Sequence, residues 1–284
     1  MRTGWRIADL LLVIGGLLLV LPPMFDVARF NWSTEQGGHG PIVLATGLWL
    51  LHREFQEVRA LQRRGNRLLG FSALTLFLLA YVGTGITGIL ELQVAMMYGA
   101  LISAAYLVVG GSVLRTLWFP VIYLAFALPP PDTVVAVITQ PVKIAISNWA
   151  VTLLHALGYP VGSSGVVIQI AQYELLVAAA CSGLNSLISL SAIGLFYVYL
   201  RHRNDAAAFV PMAIAVIPVA VLANFIRVIV LILITYHVSE AAAQGFLHDF
   251  AGILTFAAAL ATMLGLEGVY SRLRARRNRT TQNG

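Results

Sequence analysis

Apolar runs separated by charged or Pro/Gly-rich breaks fall at about 8–24, 40–52, 68–90, 92–113, 116–129, 182–200, 208–236 and 249–270. A hydrocarbon core about 30 Å thick takes roughly 20 apolar residues per helix. The pattern therefore predicts an all-α polytopic membrane protein, a bundle of about eight transmembrane helices. The runs at 40–52 and 116–129 are short and fit tilted, extended or re-entrant segments. The first run follows Met1 to Arg6 as in a signal peptide, but no small-residue cleavage site follows Val20 and Pro22-Pro23 end it, so it reads as an uncleaved span.

The long break at 130–180 opens on Pro129-Pro130-Pro131, a stiff turn. From Asp132 to Gly158, steps of 100° gather Thr133, Gln140, Lys143, Ser147, Asn148 and His155 on one side, with Val, Ile, Leu and Trp149 opposite. That predicts an amphipathic helix lying on the outer membrane surface. Gly158-Tyr159-Pro160 and Gly162-Ser163-Ser164-Gly165 read as turns, and the β-branched stretch Val166 to Val177 as a small β-hairpin turning at Ala171-Gln172. The whole chain, 1–284, is expected to form one membrane-embedded domain with this extracytoplasmic insert and a basic, disordered cytoplasmic tail at 271–284.

Composition agrees: 59% of residues are hydrophobic and 11% charged, against about 25% charged in soluble domains, and mean hydropathy is +0.83. The net charge of +6 is an orientation signal rather than a nucleic-acid footprint. With the N-terminus in the cytoplasm, every Lys and Arg except Arg29, Lys143 and Arg227 falls on a cytoplasmic segment. Both termini are then cytoplasmic, and 130–180 lies outside.

This topology brings three residues to one outer face: Cys181 at the start of the sixth span, Arg227 in the outer half of the seventh, and His248 at the start of the eighth. Cys181 is the only cysteine, so it forms no disulfide within the chain; it is either a small inert core residue or a nucleophile. Ser182 and Gly183 follow it, where the first free N–H groups of a helix stabilise a thiolate. Arg227 stands in V-L-A-N-F-I-R-V-I-V-L-I-L-I, where an arginine costs at least about 2.5–3.5 kcal/mol to insert. It either snorkels or pairs structurally, or it is a fixed charge facing the bundle interior. Asn224, one turn away, is placed to orient it or to donate a hydrogen bond itself. His248 is an interfacial polar group or a general base, and Asp249 is a weakly placed candidate to orient it. His155, His237, Glu174 and Gln172 are external bystanders. No close-spaced Cys or His pair suggests a metal site, and no phosphate-cradling or dinucleotide signature suggests a cofactor.

The motifs A-C-S-G-L at 180–184, N-F-I-R at 224–227 and H-D-F-A-G at 248–252, in that order on successive spans, with F-A-L-P-P-P at 126–131, resemble those of the exosortase family over about residues 70–270. The resemblance implies a membrane cysteine protease-transpeptidase of the bacterial inner membrane, acting at its periplasmic face. Its substrates would be membrane-anchored proteins with a C-terminal sorting signal of the Pro-Glu-Pro type, in cells that make exopolysaccharide. It makes Cys181 the nucleophile, Arg227 the transition-state stabiliser and His248 the base; a histidine rather than a second arginine there points to the bacterial branch. Bacterial members often carry a glutamate two residues before the cysteine, and this chain has Ala179. The rival readings are a transporter, which would tolerate loss of Cys181, and a non-catalytic component of a polysaccharide-export complex.

Overall fold

A computed structural model of the protein describes residues 7–34, 37–62, 65–164, 167–170, 173–176, 183–239 and 246–282. They fall into two compact units that divide at Asp132 and Thr133.

The first unit holds α1 (Ile7–Asp26, continued by one π-helical turn Val27–Asn31), α2 (Gly40–Val58), α3 (Arg67–Thr87), α4 (Leu90–Thr116) and α5 (Trp118–Ala125). Helix α3 starts where the side chain of Asn66 accepts hydrogen bonds from the N–H groups of Leu68 and Leu69, which satisfies two donors a helix start leaves open. Helix α5 is fastened to α2 by a hydrogen bond of 3.0 Å between the Thr46 and Tyr123 hydroxyls. The chain after α5 is held by Trp32, whose Nε1 donates to the Ala127 carbonyl at 3.1 Å.

The second unit holds α6 (Asp132–Ala156), strands β1 (Val161–Ser164), β2 (Val167–Ile170) and β3 (Tyr173–Leu176), then α7 (Gly183–His202), α8 (Ala206–His237) and α9 (Phe246–Gln282). Helix α6 ends in a Schellman turn. The Tyr159 N–H reaches the Leu154 carbonyl and the Gly158 N–H that of His155, a geometry that needs the φ of +87° found at Gly158. The strands form an antiparallel meander in the order β1-β2-β3. The expected hairpin is present as β2 and β3. The segment read as a Gly-Ser turn is instead a third strand, because Val161 pairs with Ile170 and Ser163 with Ile168. Alternation along β2 buries Ile168 and Ile170 against Ile146, Ala150 and Leu154 of α6 and Val228 and Ile232 of α8.

Among the described residues, five helices are long and apolar enough to cross a membrane: Ile14–Asn31, Arg67–Thr87, Leu90–Thr116, Thr133–Ala156 and Ala206–His237. Four of them coincide with runs expected as spans. The expected runs at 40–52 and 249–270, and the one at 182–200 from Gly183 on, are helical but outside this set. The helix in 116–129 has 8 residues, about 12 Å of rise, too short to cross. The fifth candidate is α6, the segment expected as a surface helix, which qualifies by its length and apolar composition. Of its expected polar side, Thr133, Gln140, Asn148 and His155 are exposed and Ser147 is fully buried, while Val137 and Ile138 are 76% and 66% exposed. Its exposed surface thus mixes apolar with polar residues, and one hydroxyl is turned into the protein. The basic stretch after Tyr270, expected as a disordered tail, continues α9 to Gln282; Arg and Ala are strong helix formers, and Arg274 finds a carboxylate partner in Asp205.

Prolines inside these helices each remove an N–H and free the carbonyl four residues earlier. Pro211 frees that of Ala207, and Tyr270 on α9 donates its hydroxyl to this oxygen at 2.8 Å. Pro23 frees that of Leu19, which accepts from the Tyr81 hydroxyl at 3.3 Å. Tyr270→Phe is expected to lower stability by about 0.6–1 kcal/mol, and to cost less when Pro211→Ala restores an N–H to the same oxygen. A double-mutant cycle of unfolding in detergent checks this, and strict additivity would refute it.

Candidate active site

Helix α8 buries one stripe along nearly its whole length: Met212, Val216, Val219, Ala220, Ala223, Asn224, Arg227, Val228, Leu231, Ile232 and Thr235. Spacings of three and four residues keep these on one side of the helix. The lower part, from Met212 to Ala223, packs with Leu190 and Val198 of α7 and Ala259 and Met263 of α9. The upper part, at Val228 and Ile232, packs with α6 and the sheet. Asn224 and Arg227 fall at the junction of these two clusters and are 3% and 6% exposed. Arg227 follows Ala223 by one turn and so continues the face directed at α7 and α9, while Asn224 lies at its edge toward Val228.

Contacts along the bundle set the levels. Gly194 of α7 faces Val216 so closely that an added Cβ would come to 3.0 Å of its side chain. The loop between α7 and α8 is three residues, so the two helices run antiparallel. Gly183 precedes Gly194 by as many residues as Arg227 follows Val216, and at 1.5 Å per residue the first residue of α7 is level with Arg227. Helix α9 is tied to the start of α8 by Tyr270 on Ala207 and Arg274 on Asp205. Counting back along α9 and forward along α8 brings the turn containing His248 to within about one helical turn of Arg227.

The predicted residues thus stand as follows. Asn224 and Arg227 are buried on α8, Gly183 opens α7, and His248 and Asp249 are the third and fourth residues of α9. Cys181 and Ser182 lie outside the described residues. Among the described residues no group of three His, Cys, Asp or Glu side chains is placed to hold a metal ion.

The opposite end of this three-helix group carries a network that sequence reading passed over. The Arg201 Nε donates to Glu267 Oε1 at 2.8 Å, the Tyr197 hydroxyl also donates to Glu267, and His202 Nε2 lies 3.6 Å from the same carboxylate. Arginine and tyrosine at positions 201 and 197, one turn apart on α7, were the only signal, and their partner is some 66 to 70 residues away. Beside it, Asp205 caps α8 by accepting from the Ala208 N–H at 3.2 Å and pairs with Arg274. These ties fix the register of α7, α8 and α9, and hence the levels of the turns at the far end.

Arg274 holds the Asp205 carboxyl below the ordinary carboxylate range, against an opposing effect of burial and with help from the Ala208 N–H. The folded protein therefore binds fewer protons than the unfolded chain as Asp205 titrates. Its contribution to stability is complete above the unfolded pKa of about 4 and is lost as the pH falls through the lower folded value. Asp205→Asn is expected to flatten the acid limb of melting temperature against pH in detergent. An unchanged acid limb would count against the pairing.

No curated protein and no solved structure gave a match to the chain. The model of the transmembrane exosortase family matches residues 32–265, a range that contains all four resembling motifs and the helices α7, α8 and most of α9. The chain belongs to the transmembrane exosortase family.

Proposed function

We propose that the protein is a bacterial inner-membrane cysteine peptidase-transpeptidase that removes C-terminal sorting signals from exported, membrane-anchored proteins. The observation that carries this reading is the common level of the α7 start, the buried Arg227 and the α9 turn bearing His248. A nucleophile, a cation and a base need to meet within one substrate-sized volume, and the shared level of these helix ends supports such a meeting of residues 46 and 21 positions apart in the chain.

In this reading His248 takes the Cys181 thiol proton, and the thiolate attacks the scissile carbonyl carbon. The oxygen of the tetrahedral intermediate becomes anionic and is met by Arg227 and by N–H groups following Cys181. His248 then returns the proton to the departing amine, leaving a thioester on Cys181. An amine acceptor resolves the thioester by transpeptidation, water by hydrolysis. Both termini are cytoplasmic and the site is periplasmic, because that orientation keeps the arginine-rich segments inside. The substrate's own membrane helix lies beside the bundle with its basic end toward the cytoplasm, and the processed proteins accompany exopolysaccharide.

Mass spectrometry of a candidate substrate co-expressed with the wild-type enzyme tests this. A new C-terminus that is absent with Cys181→Ser supports it. The same C-terminus with Cys181→Ser would remove the nucleophile assignment.

A further inference from the structure

Two side chains beside the site are buried with polar atoms that no described residue satisfies: Ser147 Oγ on α6, with 0% exposure, and both amide atoms of Asn224 on α8. A buried donor or acceptor without a partner carries its full desolvation penalty, and native proteins rarely leave one so. Three such atoms on two helices that pack against each other point to a ligand that supplies the missing bonds.

Their common level is set by a direct contact. The rings of Trp149 and Phe225 meet edge to face with centroids 6.5 Å apart, Ser147 is two residues before Trp149, and Asn224 is the residue before Phe225. Trp149 is more than half exposed while Ser147 and Asn224 are closed off, so both polar groups lie on the inner side of the seam whose outer edge is Trp149. Ile146 and Ala150, on either side of Ser147, share a cluster with Val228, the residue after Arg227.

The chemistry of the atoms selects the ligand. Asn224 offers an acceptor and a donor on one planar amide, and Ser147 adds a hydroxyl that serves as either. A phosphodiester or a carboxylic ester presents acceptors only and would leave the Asn224 oxygen unmet. A peptide group presents a C=O and an N–H in the same plane and satisfies both. We propose that Ser147 and Asn224 clamp the main chain of the substrate peptide next to the bond that is cut, as positioning residues that act on the backbone whatever the neighbouring side chains. The assignment rests on the peptidase reading above, and it gives Asn224 a role in peptide binding rather than in oxyanion stabilisation.

The test uses the purified full-length protein in detergent with the capped peptide acetyl-Ala-Ala-Ala-methylamide, which has a main chain and no distinctive side chains. At saturation it is expected to raise the melting temperature of the wild-type protein by about 2–4 °C. Ser147→Ala and Asn224→Leu are expected to melt no lower than wild type without peptide and to show no rise with it. A merely structural role would instead lower the melting temperature and leave the rise intact. The clamp is overturned if the wild type shows no rise, or if the rise persists in both variants; Ser147→Ala, which only deletes a hydroxyl, decides the matter should Asn224→Leu not fold. The rate of Cys181 alkylation by iodoacetamide separates this from the peptidase reading. The peptide should slow it about tenfold in wild type and leave it unchanged in both variants. A rise that the variants abolish, without protection of Cys181, keeps the clamp and removes Cys181 from the site.

Discussion

Cys181→Ala is expected to abolish processing of a co-expressed substrate, lowering the rate by at least about 10⁴-fold, on the scale seen when a protease loses its nucleophile. No other thiol can substitute, since Cys181 is the only cysteine in the chain. The substitution removes one sulfur atom and adds no charge, so the variant should accumulate in the membrane and melt close to wild type. That pairing of normal folding with lost processing separates the enzyme from its rivals. A transporter would work with alanine there, and a structural component of an export complex would too. The measurement is the fraction of substrate carrying a new C-terminus, against the amount of folded protein. Undiminished processing would end the peptidase reading.

Arg227 gives the second large effect. Its guanidinium is buried in an apolar helix, where insertion costs at least about 2.5–3.5 kcal/mol. A residue retained only for stability would make its replacement harmful to folding, whereas a residue retained for chemistry leaves folding unharmed. Arg227→Leu is accordingly expected to keep or raise the melting temperature while slowing processing by about 10²–10³-fold, the loss typical of removing one oxyanion donor. Arg227→Lys holds the charge but loses the planar fork of donors, and should recover only part of the rate. Single-turnover rates with the melting curves of the same preparations check this. A leucine variant that folds poorly, or one that processes normally, would assign Arg227 to structure instead.

Much of this arrangement was legible in the chain, for a physical reason. A bilayer imposes one length and one polarity on every helix that crosses it, so apolar runs located most helices, and Arg227 stood out because lipid-buried charge is rare. The parity of the crossings then assigned Cys181, Arg227 and His248 to one face. Periodicity left a choice open where two environments share a pattern. Helix α6 has a polar and an apolar side in either setting, and hydropathy does not say whether Ser147 faces water or protein. The Gly-Ser run of β1 likewise reads as a turn until β2 lies beside it, because strand pairing is a property of two segments and neither shows it alone.

Hydropathy thus determined the class of protein and most of its helices, because those depend on the transfer of single segments from water to lipid. Packing between distant segments decided the rest. The levels of Gly183, Arg227 and the His248 turn come from Gly194 on Val216 and Tyr270 on Ala207. The Glu267 network and the burial of Ser147 and Asn224 come from helices far apart in the chain. Such contacts depend on which side chains meet across an interface, and no local property of either partner records the other.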